Sequence, residues 1–216
     1  MVRCPSCARL QEPRLICSEC AAPLACNLDC FAALGLARKL QIDQRLLEQA
    51  YHDLGRRLHP DRFANAPAKL RDLSLRATAL LTRAYRTLRE PVNRGLYWLE
   101  LNGRKLAENN QVPAELAAIV FAAQEELSEL RAAGSRYEVE GVAVEAMAVI
   151  ERQGQVMRML EGLAGELEAN FMAFDRIEAQ PSEELFNELK RILSAMAYLT
   201  TLTRDIAKAL DRRAAA

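Results

Sequence analysis

Residues 56–63 read RRLHPDRF, and this short stretch decides the fold because it joins two predicted helices. From Asp43 to Leu58 apolar residues recur at helical spacing, and Asp43 is a suitable N-cap. Pro60 ends this first helix, because the residue before a proline avoids the α-helical region. The sequence therefore predicts a helix that stops abruptly at a His-Pro-Asp tripeptide.

A second helix is predicted to start near Ala66 or Pro67, with proline tolerated in its first turn, and to be stopped by Pro91. Two amphipathic helices joined by a short loop pack antiparallel to bury their apolar stripes. This arrangement displays the loop residues at a tip, away from the core: His59, Pro60 and Asp61. Basic side chains are expected on the solvent side of the first helix and just beyond it: Arg45, Arg56, Arg57 and Arg62. Such charges most often form a solvated face, but beside a rigid tip they also suit a partner with an acidic surface.

Two C-x-x-C pairs lie near the N-terminus, Cys4 with Cys7 and Cys17 with Cys20. Four thiolates at this spacing predict a zinc-knuckle hairpin, in which a tetrahedral metal site acts as a structural staple. A segment this short has no core of its own, so the metal would supply its folding energy. Iron in place of zinc, a redox dithiol and disulfides are the alternatives. Disulfides fit poorly with a chain that shows no export signal.

The other two cysteines, Cys26 and Cys30, are spaced i, i+4. We interpret them as small buried apolar residues rather than ligands, although their spacing leaves open which four of the six cysteines bind metal.

Composition narrows the class of protein. The 216 residues include 29 basic and 29 acidic side chains, so no overall basic field favours nucleic acid. No apolar run reaches the roughly 18 residues of a membrane span, and no signal peptide is evident, which predicts a cytoplasmic protein without a membrane partner. The chain has no phosphate-binding glycine-rich loop, no G-x-S-x-G and no HExxH motif, so an enzyme is not expected. Its oligomeric state is not indicated.

Three apolar stripes follow in the C-terminal half and predict an antiparallel three-helix bundle. Breaks between the helices are expected near Gly134–Ser135 and at 180–182. The first stripe contains Leu116, Val120, Ala123, Leu127 and Leu130. The second contains Leu160, Leu163, Leu167, Phe171 and Phe174. The third contains Leu185, Leu189, Ile192, Met196 and Leu199.

Two aromatic residues lie off these stripes, Phe121 on the first helix and Tyr198 on the third. Small and acidic residues share the outer face of Phe121: Ala118, Ala122, Glu125 and Glu129. An apolar anchor with a polar border has the composition of a protein interface, although a single exposed aromatic is common on any surface.

The two helices around the His-Pro-Asp tip resemble a J-domain. The resemblance lies in three segments: LHPDRF at the end of the first helix, LLTRAYRTLREP in the second helix, and DCFAALGL before the first helix. Cys30 occupies a position where an aromatic residue is common. It implies that the protein binds a DnaK-class chaperone and stimulates its ATP hydrolysis. His59, Pro60 and Asp61 would be the residues required for stimulation, and the basic residues of the preceding helix would dock on the chaperone.

The segment VNRGLYWLELNGRKL, residues 92–106, resembles the corresponding link in HscB-type co-chaperones of iron–sulfur cluster assembly, some of which carry an N-terminal tetracysteine segment. This resemblance implies that the bundle binds an IscU-type scaffold and that the chaperone then promotes cluster transfer. The implied scaffold-binding residues are Ala117, Ala118, Phe121, Ala122, Glu125, Glu129 and Tyr198. The family often has large residues where this chain has Ala117 and Ala118. A J-domain protein that recruits the chaperone to a different client is the alternative.

The predicted fold is therefore mainly α-helical. It comprises a zinc-knuckle β-hairpin at residues 1–27, a J-domain helical hairpin at 28–103 and a three-helix bundle at 104–216.

Overall fold

The computed structural model describes residues 1–24, 27–106, 112–133, 139–177 and 180–214. The chain is mainly helical, with one small antiparallel hairpin at its N-terminus, which confirms the predicted fold class. The strands are β1 (Val2–Arg3) and β2 (Leu10–Gln11). The helices are α1 (Cys30–Leu34), α2 (Gln44–Leu58), α3 (Ala68–Arg89), α4 (Pro91–Leu101), α5 (Ala117–Ala133), α6 (Val139–Arg176) and α7 (Glu183–Ala214). Two short 3-10 turns occupy Pro60–Phe63 and Ala114–Leu116.

The chain divides into two compact units, Met1–Asn102 and Gly103–Ala216. In the first unit α2 and α3 pack together, as their apolar periodicity predicts, and α1 and α4 pack on α3. Asp43 caps α2 by accepting hydrogen bonds from the N–H groups of Arg45 and Leu46. Pro91 marks the break after α3 and is also the first residue of α4, where proline costs no hydrogen bond.

The tetracysteine hairpin packs on the helices of this first unit. Leu15 and Ile16, which lie between the two cysteine pairs, join the core formed by residues such as Phe31 and Leu81. On the metal-site side, Leu70 from the first turn of α3 packs against a second buried cluster: Cys4, Cys17, Ala22 and Leu24. The hairpin therefore shares buried surface with the helices and contributes to their packing.

The second unit is built from α5, α6 and α7, and α6 packs against both of the others. All five residues of the first predicted stripe are buried, and so are most residues of the other two. The break before α7 falls at the expected place, because α6 ends at Arg176 and α7 begins at Glu183. The other predicted break, at Gly134–Ser135, lies outside the described residues. An ion pair and a guanidinium–ring contact fix the start of α7: Arg104 binds Glu183 at 2.5 Å and lies 3.9 Å over the ring of Phe186.

Within the described ranges, no helix is both long enough and apolar enough to cross a membrane.

Candidate functional site

The His-Pro-Asp tip is exposed at the end of the α2–α3 pair. The side chain of His59 is 58% exposed and that of Asp61 is 89% exposed. His59 adopts the extended conformation required before proline, with φ −53° and ψ 129°. Its Nδ1 accepts a hydrogen bond from the Asp61 N–H at 3.3 Å and lies 3.4 Å from the Asp61 carboxylate. The tip is thus a small rigid turn whose imidazole and carboxylate both face solvent.

Two hydroxyl groups of α3 fix the end of α2 immediately before the tip. The Ser74 Oγ–H donates to the carbonyl oxygen of Leu58 at 2.6 Å, and the Thr78 hydroxyl donates to the same oxygen at 3.2 Å. The last carbonyls of a helix lack intrahelical donors, and Pro60 has no N–H to offer. Ser74 is completely buried. The two hydroxyls therefore replace the missing donors and hold α2 against α3 where the tip begins. Sequence reasoning missed them, because a serine and a threonine on a helix are ordinary residues until their partner is known.

The predicted basic residues lie exposed on and beside α2: Arg45, Arg56, Arg57 and Arg62. The total charge is zero, but the basic and acidic residues are unevenly divided between the two units. Sequence reasoning also missed this uneven distribution of charge. Met1–Asn102 contains 16 basic and 10 acidic residues, a net charge of +6, whereas Gly103–Ala216 contains 13 basic and 19 acidic residues, a net charge of −6. The unit that carries the tip is therefore basic, and the bundle is acidic.

On the bundle, Phe121 is 65% exposed, which makes it a large apolar side chain facing solvent on α5. Ala118, Glu125 and Glu129 are exposed beside it, whereas Ala117 and Ala122 are half-buried. Tyr198 on α7 is also half-buried.

The register of α5 and α7 sets Phe121 and Tyr198 at the same level of the bundle. Arg191 on α7 forms an ion pair with Glu115, just before α5, at 2.9 Å. Both helices run antiparallel to α6 and so ascend in the same direction. Phe121 is six residues after Glu115 and Tyr198 is seven residues after Arg191, which corresponds to about 9 Å and about 10 Å of helical rise. The two aromatics therefore lie at similar heights along the bundle axis.

Arg191 also binds Glu188 and Glu166, so one guanidinium connects the start of α5 with α6 and α7. These carboxylates raise its pKa further above the usual value, chiefly through the hydrogen bond to Glu188. The same hydrogen bond lowers the pKa of Glu188.

The four cysteines of the two C-x-x-C pairs converge on one point. The Sγ atoms of Cys4, Cys7, Cys17 and Cys20 all lie within 4.8 Å of one another. The distance between Cys4 and Cys20 Sγ is 3.5 Å, and that between Cys7 and Cys17 Sγ is 3.7 Å. Ligands about 2.3 Å from a tetrahedral zinc ion are about 3.8 Å apart, so the sulfur atoms have the spacing of a metal site. The cluster could therefore hold a metal ion.

The two halves of this site repeat each other with an offset of 13 residues. Ala8 and Ala21, each directly after the second cysteine of a pair, both have a left-handed backbone, with φ 58° and 57°. The N–H of each donates to the carbonyl oxygen of the first cysteine in its pair, at 3.1 and 3.2 Å. The strand pairing of Arg3 with Leu10 recurs as the bridge between Ile16 and Pro23. The site therefore has pseudo-two-fold symmetry. The sequence does not reveal this symmetry, because the two halves have different residues at most equivalent positions.

Backbone N–H groups surround the first cysteine of each pair. The N–H groups of Ser6 and Cys7 donate to Cys4 Sγ at 3.4 and 3.5 Å. At Cys17 the backbone N–H of Cys20 is the main group that lowers the pKa of the thiol to about 6, against an opposing effect of burial. Such N–H···S contacts favour the thiolate, which is the form that binds metal.

Cys30 is buried in the core of the first unit, and its N–H donates to the Tyr97 hydroxyl at 2.9 Å. It lies outside the tetracysteine cluster, as the interpretation of a small buried residue requires. Burial is the main factor that raises the pKa of Tyr97 to about 12. Cys26 lies outside the described residues.

The known proteins to which this chain is similar share the name HscB. No family model matches the chain. A protein from Aromatoleum aromaticum named "Co-chaperone protein HscB homolog" is 38% identical over 113 residues, which are 51% of this chain and 64% of that protein. The human "Iron-sulfur cluster co-chaperone protein HscB" is 26% identical over 198 residues, which are 91% of this chain and 75% of that protein. The bacterial match thus spans less than two thirds of its relative's length.

Solved structures agree with these matches. The crystal structure of human co-chaperone protein HscB superposes with a TM-score of 0.66 and 25% identity, covering 95% of this chain and 96% of that one. HscB from Vibrio cholerae has a TM-score of 0.61 at 24% identity, covering 86% and 99%, and supports the fold. The predicted resemblance to HscB-type proteins is confirmed, and these relatives are co-chaperones rather than enzymes.

Proposed function

We propose that this chain, which is similar to HscB-type co-chaperones over most of its length, is a J-domain co-chaperone of iron–sulfur cluster assembly. Its bundle would bind an IscU-type scaffold, and its His-Pro-Asp tip would engage a DnaK-class chaperone and stimulate ATP hydrolysis there, which promotes cluster transfer. The observation that carries the proposal is the exposed tip, because His59 and Asp61 are held in solvent by a rigid pair of helices. A cytoplasmic location is part of the proposal.

On the chaperone side, the proposed contacts are the tip and the neighbouring basic residues: His59, Pro60, Asp61, Arg45, Arg56, Arg57 and Arg62. The net charge of +6 on Met1–Asn102 supports a partner with an acidic surface. Attraction between such surfaces raises the association rate and is screened by salt. We therefore expect the rate of complex formation to fall as the salt concentration rises.

On the scaffold side, the proposed contacts are Ala117, Ala118, Phe121, Ala122, Glu125, Glu129 and Tyr198. The exposed 65% of Phe121 corresponds to about 130 Å² of a side chain of roughly 200 Å². Burying that area on a partner would contribute at most about 3 kcal/mol, at about 25 cal/mol per Å². Phe121 would then be the anchor, with the acidic residues as the polar border.

For the tetracysteine cluster we propose structural zinc, with iron as the alternative. Cys4, Cys7, Cys17 and Cys20 would occupy all four positions of a tetrahedral ion, and such closed sites are structural. When bound, the metal would provide cross-links between the two knuckles. The buried contact between this cluster and Leu70 supports a role in bracing the helices beside the tip.

The central experiment measures steady-state ATP hydrolysis by the cognate DnaK-class chaperone, with and without the scaffold protein. The wild-type chain is expected to accelerate hydrolysis, and His59→Gln is expected to abolish the acceleration. Because His59 is largely exposed, this variant should unfold in urea at the same concentration as wild type, which shows that its fold is intact. No acceleration by the folded wild-type chain would reject the proposal.

Scaffold binding is tested separately by calorimetry. Phe121→Ala should weaken binding by about 2 kcal/mol, or roughly 30-fold. Ile150→Ala, an exposed apolar residue of α6 outside the patch, is the matched control and should bind as wild type does. Equal affinities for all three proteins would show that the patch is not the scaffold interface.

A different client is the second candidate, and the small residues of the patch favour it, since Ala117 and Ala118 offer little apolar area. Purified scaffold decides between the two candidates. If the chain stimulates the chaperone but does not bind the scaffold, the J-domain function stands and the client is another protein.

A further inference from the structure

The Gln11 side chain lies beside the tetracysteine site and has an unsatisfied hydrogen-bond donor. It is only 7% exposed, although glutamine is usually found at the surface. Its Oε1 accepts hydrogen bonds from both the N–H and the Oγ–H of Ser18, at 3.1 and 3.0 Å. Its Nε2 has no hydrogen-bond partner of standard geometry among the described residues. A buried amide donor without an acceptor is unfavourable because its lost hydration is not replaced, so a partner for Nε2 is to be expected.

The oxygen side of this amide is fixed next to the metal site, and its Nε2 is buried there. Ser18 directly follows Cys17, and its two hydrogen bonds fix the oxygen side of the Gln11 amide. Because Ser18 is the chain neighbour of Cys17, these two hydrogen bonds hold the Gln11 amide beside that cysteine. A metal-bound thiolate is an acceptor that would satisfy the free donor.

The 13-residue repeat of the hairpin provides an internal comparison. The position equivalent to Gln11 in the second half is Leu24, which is also buried and packs in the cluster that contains Cys4. The second half of the repeat therefore has a hydrocarbon side chain where the first half has an amide bound to Ser18. A leucine fits this place in the repeat, so the amide of Gln11 is not needed to fill space.

We propose that Gln11 is a positioning residue of the metal site, which donates an N–H···S hydrogen bond from Nε2 to Cys17 Sγ when the metal is bound. This donor withdraws electron density from one of the four sulfur atoms and strengthens metal binding, as outer hydrogen bonds to metal ligands generally do. It makes Cys17 different from Cys4 in an otherwise symmetric site. The inference rests on the metal occupancy proposed above and is independent of the co-chaperone function.

The test uses the full chain loaded with Co²⁺, whose thiolate complexes absorb through sulfur-to-metal charge transfer. Gln11→Leu, which copies the other half of the repeat, should fold and should bind Co²⁺ about 10-fold more weakly. Its charge-transfer band should move to lower energy, because the Cys17 sulfur becomes richer in electrons. Ser18→Ala is the matched control: it keeps the Ser18 N–H that orients the amide, so its band and affinity should stay close to wild type.

The position of the band separates donation from packing. Weaker binding with an unshifted band would mean that Gln11 acts only by filling space, and it would overturn the inference, as would no change at all. Gln11→Glu is the second variant in case Gln11→Leu does not fold. It retains the acceptor for Ser18 but replaces the N–H donor with a negatively charged oxygen, so it should bind Co²⁺ more weakly than Gln11→Leu does. Wild-type Co²⁺ affinity in Gln11→Glu would also refute the proposed hydrogen bond to Cys17. If the wild-type chain takes up no Co²⁺, the metal-site proposal itself fails.

Discussion

Removing the Ser74 hydroxyl should loosen the end of α2 directly before the His-Pro-Asp tip. Ser74→Ala removes the 2.6 Å hydrogen bond to the Leu58 carbonyl but leaves the 3.2 Å bond from Thr78. Thr78→Val removes the second bond and leaves the first. In each single variant the carbonyl oxygen retains one donor, so the expected loss is that of one hydrogen bond, about 1 kcal/mol.

The double variant is expected to behave differently. With both hydroxyls absent, the Leu58 carbonyl is left at a buried helix end, and its desolvation is no longer compensated. An unsatisfied buried group costs about 1–3 kcal/mol, so the double variant should lose about 3 kcal/mol rather than the sum of about 2 kcal/mol. The coupling between the two sites is therefore about 1 kcal/mol, a size that is measurable for residues sharing one partner.

Urea unfolding followed by tryptophan fluorescence measures these values in the full chain. Trp98 is the only tryptophan of the sequence, and it lies in α4 with its ring at an edge of Phe31, 6.2 Å between centroids. Its signal therefore reports the first unit and not the bundle. Ser128→Ala, the same substitution at an exposed serine of α5, is the control and should not change the fluorescence transition.

Two results would refute the reasoning. If Ser74→Ala is as stable as wild type, the buried hydroxyl does not support α2. If the double variant loses only the sum of the single losses, the two hydroxyls do not share the Leu58 carbonyl.

Four further outcomes are expected. Burial tends to raise the pKa of Asp29, but hydrogen bonds from the Ala32 N–H and Arg38 outweigh it and hold the pKa below its ordinary value. Asp29→Asn should therefore lower the free energy of unfolding, measured in urea at pH 7, by about 1 kcal/mol. The stability difference between the variant and wild type should vanish as the pH falls through the folded-state pKa of Asp29. Arg191→Met should destabilise the bundle by about 1 kcal/mol, seen by circular dichroism as unfolding at a lower urea concentration. The loss should be smaller in 1 M salt, because salt screens the partly exposed ion pairs of Arg191. Ala8→Gly should stabilise the metal-loaded hairpin by about 0.5 kcal/mol, measured by thermal unfolding, since φ is 58° there. Chelation of the metal should lower the urea midpoint of the fluorescence transition, and an unchanged midpoint would contradict a bracing role.

The sequence determined those features that depend on local chemistry. Helical periodicity and Pro60 were enough to set α2, its end and the exposure of the tip, because a proline restricts its own neighbours whatever the surroundings. The C-x-x-C spacing was enough to predict a metal site, since each pair brings two thiols together within one short loop. The stripes of the bundle were predicted for the same reason, because a helix with one apolar face must bury it.

Only the tertiary structure decided which distant groups meet. The hydroxyls of Ser74 and Thr78 reach a carbonyl 16 and 20 residues earlier, and no pattern in α3 distinguishes them from solvent-facing residues. The pairing of Gln11 with Ser18, and the junction made by Arg191, likewise depend on how elements pack. The opposite charges of the two units were present in the sequence, but they became visible only when the boundary at Asn102 was known. Hydrogen bonds and ion pairs act over a few ångströms of space, and the separation of residues along a chain does not specify that distance.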